Sequence, residues 1–240
     1  MATLALDNLI KIYGGRQVVN DVSMAIESST VVGLLGPNGA GKTTTFYMTI
    51  GIIRQDGGRV FLNGEDISHH PMHLRARKGI GYLPQDASVF RKLTVEENIL
   101  AILETTALSR HEQVRKTKEL LAELGIQHLA RQRASFLSGG ERRRLEICRA
   151  LATDPSFMLL DEPFAGIDPL AVVDIKNIIG HLKDRGIGVL ISDHNVRETL
   201  GVCDLAYLMC DGIIIESGTP THIASSETAC RVYLGTEFRL

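Results

Sequence analysis

Gly36-Pro37-Asn38-Gly39-Ala40-Gly41-Lys42-Thr43 fits G-x-x-x-x-G-K-[ST] and follows the apolar run Val31-Val32-Gly33-Leu34-Leu35. A buried strand that ends in glycines, a lysine and a hydroxyl residue wraps backbone N–H groups around the phosphates of a nucleotide. Lys42 is long enough to reach across the crest of such a loop to the β- and γ-phosphates, and Thr43 offers a hydroxyl to Mg2+. The pattern Thr44, Phe46, Tyr47, Ile50 predicts a helix beginning at this site. The amides of Gly39 to Thr44 then lie at a helix N-terminus, where the dipole favours anions. Gly36, Pro37, Asn38, Gly39, Ala40, Gly41, Lys42, Thr43 and Thr44 are the candidate phosphate-binding residues, with Gly39 and Gly41 letting the chain approach closely.

Working outward, residues 1 to about 30 alternate as antiparallel strands, and Val60-Phe61-Leu62 before Asn63-Gly64 adds another strand and a turn. Residues 87–149 change to a helical period, at Glu96 to Leu103 and His111 to Leu124. They read as a helical subdomain inserted into an α/β core made of 1–86 and 150–240. Strands at Phe157 to Leu160, Gly188 to Ser192 and Leu205 to Met209 alternate with helices at Ala171 to Lys183 and Val196 to Cys203. That alternation implies a parallel sheet with helices on both faces.

The 240 residues suffice for a real core. Balanced charge, 26 basic against 28 acidic residues, argues against a broad nucleic-acid surface. The clusters Arg75, Arg77, Lys78 and Arg142, Arg143, Arg144 read as solvated helix faces. Cys148, Cys203, Cys210 and Cys230 lack metal or redox spacing and read as idle thiols of a reducing compartment. His69, His70 and His73 fall in a polar loop around Pro71, without the cysteines or carboxylates of a metal site. Neither a signal peptide nor a run near ~20 apolar residues is present, so a cytoplasmic protein is expected, any membrane role being delegated to a partner.

Two acidic residues end the apolar run Phe157-Met158-Leu159-Leu160. Asp161, at a strand end, can hold Mg2+, and Glu162 beside it can polarise an attacking water as general base. Ser138, Gly139 and Gly140, in Leu137-Ser138-Gly139-Gly140-Glu141, open a helix and form a second anion site.

The order of phosphate loop, Gln85, Leu-Ser-Gly-Gly, Asp161-Glu162 and His194 resembles the ATP-binding-cassette ATPases along essentially the whole chain. The Leu-Ser-Gly-Gly run sets it apart from GTPases and kinases. The resemblance implies a P-loop NTPase of the α/β class, with an antiparallel β subdomain and an inserted helical subdomain. It implies ATP and Mg2+ as cofactors. It makes Gln85 the residue that senses Mg2+ and water, His194 the switch that contacts the γ-phosphate, and Tyr13 the aromatic that stacks on adenine.

By the same resemblance two chains face each other as a homodimer, each lending Ser138 to Gly140 to the other's nucleotide, and Asp168 couples the two sites. The helical subdomain docks a short helix of an integral-membrane subunit near Gln85 and Phe90, although Phe90 also reads as a core residue. Finer features, Glu141-Arg142-Arg143-Arg144, Asp193 to Thr199 and the tail Tyr233 to Leu240, are similar to the ATPase subunits of lipopolysaccharide exporters. Two membrane subunits, a peripheral place on the cytoplasmic face of the inner membrane and no direct contact with cargo are then implied. The ATPase of a branched-chain amino-acid importer shares the same motifs. A cassette ATPase acting on DNA or ribosomes is the reading from another class, against which stand the near-neutral charge and the absence of a second cassette.

Overall fold

The structure, a computed structural model, describes residues 1–166, 169–235 and 238. The chain opens with β1 (Thr3–Tyr13) and β2 (Arg16–Glu27), an antiparallel hairpin turned by Gly14 and Gly15, followed by β3 (Val31–Leu35) and α1 (Lys42–Ile50). Next come β4 (Gly57–Leu62), β5 (Glu65–Asp66), α2 (Met72–Arg77) and β6 (Ile80–Leu83). Three helices follow, α3 (Val95–Leu103), α4 (Arg110–Glu123) and α5 (Gly139–Leu151). The chain then runs through β7 (Phe157–Asp161), α6 (Pro169–Asp184), β8 (Gly188–Ser192), α7 (Val196–Leu200), β9 (Leu205–Cys210) and β10 (Ile213–Gly218). It finishes in α8 (Pro220–Ser225), α9 (Glu227–Ala229) and a π-helical turn at Cys230–Leu234.

Two sheets form. One is antiparallel, in the order β2-β1-β4-β5; the other runs β10-β9-β3-β8-β7-β6, parallel from β9 to β6. β3, β7 and β8 are buried end to end, so their sequences are continuous apolar runs. Period-2 alternation then sorts their side chains between two cores. Phe157, Leu159, Leu190, Val32 and Leu34 face α1 and the antiparallel sheet, packing with Phe46, Met48 and Leu4. Met158, Leu160, Val189 and Ile191 face the other way, into a core shared with α3, α4, α5 and α6. The helical stretch thus has no core apart from the sheet; it is packed onto one face of it.

α3, α4 and α5 each begin with a capping box: Thr94 with Glu97, Ser109 with Glu112, Ser138 with Glu141. Two sequence expectations need correction. His73 is not in a loop, because Pro71 fixes an extended backbone that starts α2 at Met72. The helix after Asn195 stops at Gly201, short of Cys203. Strand β10 and the last helices lie in a stretch without a clean period. No helix among the described residues is long and apolar enough to cross a membrane.

Candidate nucleotide-hydrolysing site

The phosphate loop joins β3 to α1. Two of its glycines are demanded by their neighbours: a Cβ on Gly36 would lie 2.0 Å from the Met209 carbonyl oxygen, and one on Gly41 2.5 Å from that of Val18. Gly39 has open space around it but takes φ +80°. Ala40 is buried and anchors the loop, while Asn38 and Gly39 form its exposed tip. Gly41, as N-cap, supplies no side chain, and no acid stands in the first turn of α1. The amides of Lys42, Thr43 and Thr44 are left to an anion. Lys42 arches back over the loop, its Nζ donating to the carbonyls of Gly36 at 2.6 Å and Pro37 at 3.0 Å. Burial holds its pKa below the usual lysine value, while the charges of Glu162 and Asp193 pull it up. Thr43 is exposed beside it.

The strand order β3-β8-β7-β6 sets four loops side by side at the carboxyl ends of parallel strands, where open α/β sheets bind ligands. Asp161 is the last residue of β7 and buried; the Tyr82 hydroxyl donates to its Oδ2 at 3.3 Å. Burial pushes the Asp161 carboxyl up, the Tyr82 bond lowers it, and Glu162 and Asp193 raise it further. Glu162 has a left-handed backbone, φ +46°, and its N–H donates to the Ser192 carbonyl at 2.7 Å. For a glutamate that conformation is strained, and its backbone bond to the end of β8 helps to hold it. Its Oε2 accepts from Gln85 Nε2 at 2.7 Å and lies 3.5 Å from His194 Nδ1. Gln85, Glu162 and His194, from three separate loops, therefore meet at one carboxylate oxygen.

Two residues of this site escaped the sequence reading. Tyr82 is one. The other is Asp193, fully buried, whose Oδ2 accepts from the Phe164 N–H at 2.7 Å and whose Oδ1 accepts from the Asn195 N–H at 2.8 Å. It ties the loop after β7 to the loop after β8. Burial pushes its pKa up and the two backbone bonds lower it. The available signal was its place: Asp193 follows an apolar strand as Asp161 does.

Other predicted residues stand apart. Tyr13 ends β1 in the other sheet, 46 % exposed, with Lys11 Nζ 5.2 Å from its ring centroid. Ser138, Gly139 and Gly140 are exposed at the start of α5, the Ser138 hydroxyl donating to Glu141 Oε2 at 2.7 Å. Asp168 lies outside the described residues.

Phe90 is 45 % exposed, which excludes the core reading. Asn98, fully buried, accepts from the Phe90 N–H at 2.8 Å and donates to the Phe90 carbonyl at 3.1 Å, while the Arg149 guanidinium sits 4.5 Å from the ring centroid. Arg149 also donates to the Ser88 carbonyl and, with Met72, Ala76, Ile80 and Ala150, lines a groove of about 160 Å³.

Arg77 and Lys78 are exposed as expected, but Arg75, Arg143 and Arg144 are tied into the fold. Arg143 Nη1 donates to the Pro84 carbonyl at 3.0 Å and pairs with buried Glu146 at 3.2 Å, fastening the Gln85 loop to α5. Arg144 bonds the Leu124 carbonyl at 3.0 Å and Asp174 at 2.9 Å. Arg75 is 1 % exposed and bonded to backbone carbonyls. Sequence alone cannot separate a guanidinium in water from one that ties carbonyls together.

Comparison with known proteins agrees with this geometry. Residues 19–165 match the family model described as ABC transporter. The chain is similar to the lipopolysaccharide export system ATP-binding protein LptB of Escherichia coli strain K12, 57% identical with all of both chains covered. The protein of the same name from Haemophilus influenzae is 56% identical with the same coverage. Among solved structures, the ADP conformation of MJ1267, an ATP-binding cassette of an ABC transporter, superposes with a TM-score of 0.89 at 30% identity, covering 98% of this chain and 99% of that one. A phosphate loop, two carboxylates, a glutamine and a histidine gathered at the ends of four adjacent strands, with these likenesses along the full chain, make it a member of the ABC transporter family, one of its ATP-hydrolysing cassettes.

Proposed function

We propose that this chain is the ATPase of a transporter that extracts lipopolysaccharide from the inner membrane and passes it toward the outer one. The observation that carries the cargo is the 57% identity, end to end, with the Escherichia coli relative named for lipopolysaccharide export. Nothing in the ATP chemistry distinguishes cargoes, and cargo does not touch this subunit.

In this reading the loop Gly36 to Thr44 binds the phosphates through its amides and Lys42, and Tyr13 stacks on the adenine. Thr43 and Asp161 hold Mg2+. The donor set fits by chemistry: Asp161 is a buried carboxylate ending β7 and Thr43 an exposed hydroxyl in the first turn of α1, both oxygen ligands that suit Mg2+. When bound, the ion would supply positive charge to the phosphates. Glu162 accepts the proton of the attacking water. Gln85 and His194 orient that carboxylate from either side, His194 also reaching the γ-phosphate. Two chains form a homodimer in which Ser138, Gly139 and Gly140 close over the partner's nucleotide, and Asp168 links the two sites. Residues 87–149 act as the helical subdomain, and two integral-membrane subunits dock on the groove beside Phe90 and Gln85, holding the chain at the cytoplasmic face. Hydrolysis removes contacts that bridge the two chains, and the dimer opens.

Purification of the tagged chain from detergent-solubilised membranes of its own host, with mass spectrometry of what accompanies it, tests the reading. Integral-membrane subunits of a lipopolysaccharide exporter are expected. Amino-acid permease subunits in their place would overturn the cargo.

A further inference from the structure

α2 has two working faces. Met72 and Ala76 line the groove beside Phe90, and Met72 is 39 % exposed. Arg75, between them in sequence, points the other way and is 1 % exposed. Its Nη1 donates to the carbonyls of Met48 and Thr49, each at 2.7 Å, in the last turn of α1. Nε donates to the His70 carbonyl at 2.8 Å and Nη2 to the Ser68 carbonyl at 2.9 Å. Among the described residues no carboxylate hydrogen-bonds this buried cation; the charge of Asp66 supports it from a distance, and the carbonyls at the end of α1 add the negative end of the helix dipole. The seat is built for it. Gly51, the C-cap of α1, takes φ +80°, and a Cβ there would lie 2.8 Å from Arg75 Nε.

α1 is the helix whose other end carries Lys42 and Thr43. Its nine residues span roughly 13 Å at 1.5 Å per residue. Thr45 and Thr49 bond back to the carbonyls of Gly41 and Thr45 at 3.1 and 2.8 Å, and both are fully buried, so α1 is packed along its length between the loop and Arg75. One guanidinium thus clamps the wall of the groove to the far end of the helix that holds the phosphates.

We propose that Arg75 is a positioning residue that transmits occupancy of the groove through α1 to Lys42 and the phosphate loop. The inference rests on the docking reading given above, since it needs a membrane-subunit helix in that groove. It supplies a route to the phosphates separate from the Gln85 loop, which touches Glu162 on the opposite side of the site.

The test is hydrogen exchange on the wild-type chain, alone and in the assembled transporter, read over peptides covering α2 and residues 47–53. It is paired with ATPase assays of Arg75→Lys in both settings. Docking should slow exchange in α2 and also at the end of α1, where the Gly51 and Ile52 amides bond Met48 and Tyr47. Arg75→Lys keeps the charge but cannot reach four carbonyls. It should cut the ratio of assembled to free ATPase rate by about fivefold or more. A purely structural role would lower both rates together and leave the ratio alone. Protection of α2 with no change at 47–53, or an unaltered ratio, overturns the role of Arg75 and leaves docking intact. Unprotected α2 overturns docking, and this proposal falls with it. If Arg75→Lys fails to fold, Arg75→Gln takes its place in both assays with the same outcomes, since Ile50 of α1 also lines the groove and protection at 47–53 does not by itself single out Arg75.

Discussion

At the residue scale, the proposed chemistry turns on one carboxylate oxygen of Glu162 that accepts from Gln85 and lies beside His194. Glu162→Gln keeps the shape but removes the base, so turnover should fall by about 10²–10⁴ while ATP still binds. Rapid-quench hydrolysis beside equilibrium nucleotide binding checks this; near-normal hydrolysis would sink the base assignment. Tyr82 offers a subtler test. Its hydroxyl stabilises the ionised form of Asp161, so Tyr82→Phe should raise the Asp161 pKa beyond the rise burial already causes. Asp161 then becomes neutral at a higher pH, and the acid limb of the pH–rate profile should move upward. An acid limb that stays in place would separate Tyr82 from the chemistry. Much of this site was legible beforehand. Lys42, Thr43, Asp161 and Glu162 sit in short motifs whose chemistry dictates their residue types, while Gln85 and His194 were marked by the family resemblance. Tyr82 and Asp193 were not, because each acts through one side-chain contact that only the folded sheet creates.

At the scale of elements, local signals and tertiary ones part company. The three capping boxes and the end-to-end apolar strands are written in adjacent residues, and the predicted helices and parallel strands fall close to their observed bounds. Arg75, Arg143 and Arg144 show the opposite. Their acceptors are carbonyls distant in sequence, so charge patterning read them as solvated. Asn98 is a similar case: buried in α3, it grips both backbone groups of Phe90 and sets where that side chain stands. Asn98→Ala should leave the Phe90 amide unpaired and destabilise the fold by about 1–3 kcal/mol. Chemical denaturation would show the loss, and faster hydrogen exchange at residues 88–94 would place it. A loss of stability with unchanged exchange in that loop would contradict the assignment.

At the scale of the whole molecule, one sheet carries two kinds of work. The carboxyl ends of β3, β8, β7 and β6 gather the ATP chemistry, and the loop beyond β6 runs directly from Gln85 to Phe90. In the proposed reading Phe90, exposed and bonded through its backbone to Asn98, stands on the surface that meets the membrane subunits. Phe90→Ala should therefore leave the ATPase of the isolated chain unchanged and impair co-purification with the membrane subunits. Unimpaired assembly would count against docking there. Only the identity of the cargo lies beyond any site residue, since every group at the phosphates would serve any cassette equally. The most direct measurement is ATP-driven release of lipopolysaccharide from proteoliposomes holding the assembled transporter, run with the wild-type chain and with Glu162→Gln. Release that requires ATP and ceases in the variant is the predicted result. Full ATP turnover with no lipopolysaccharide leaving, or release that continues with Glu162→Gln, would contradict it.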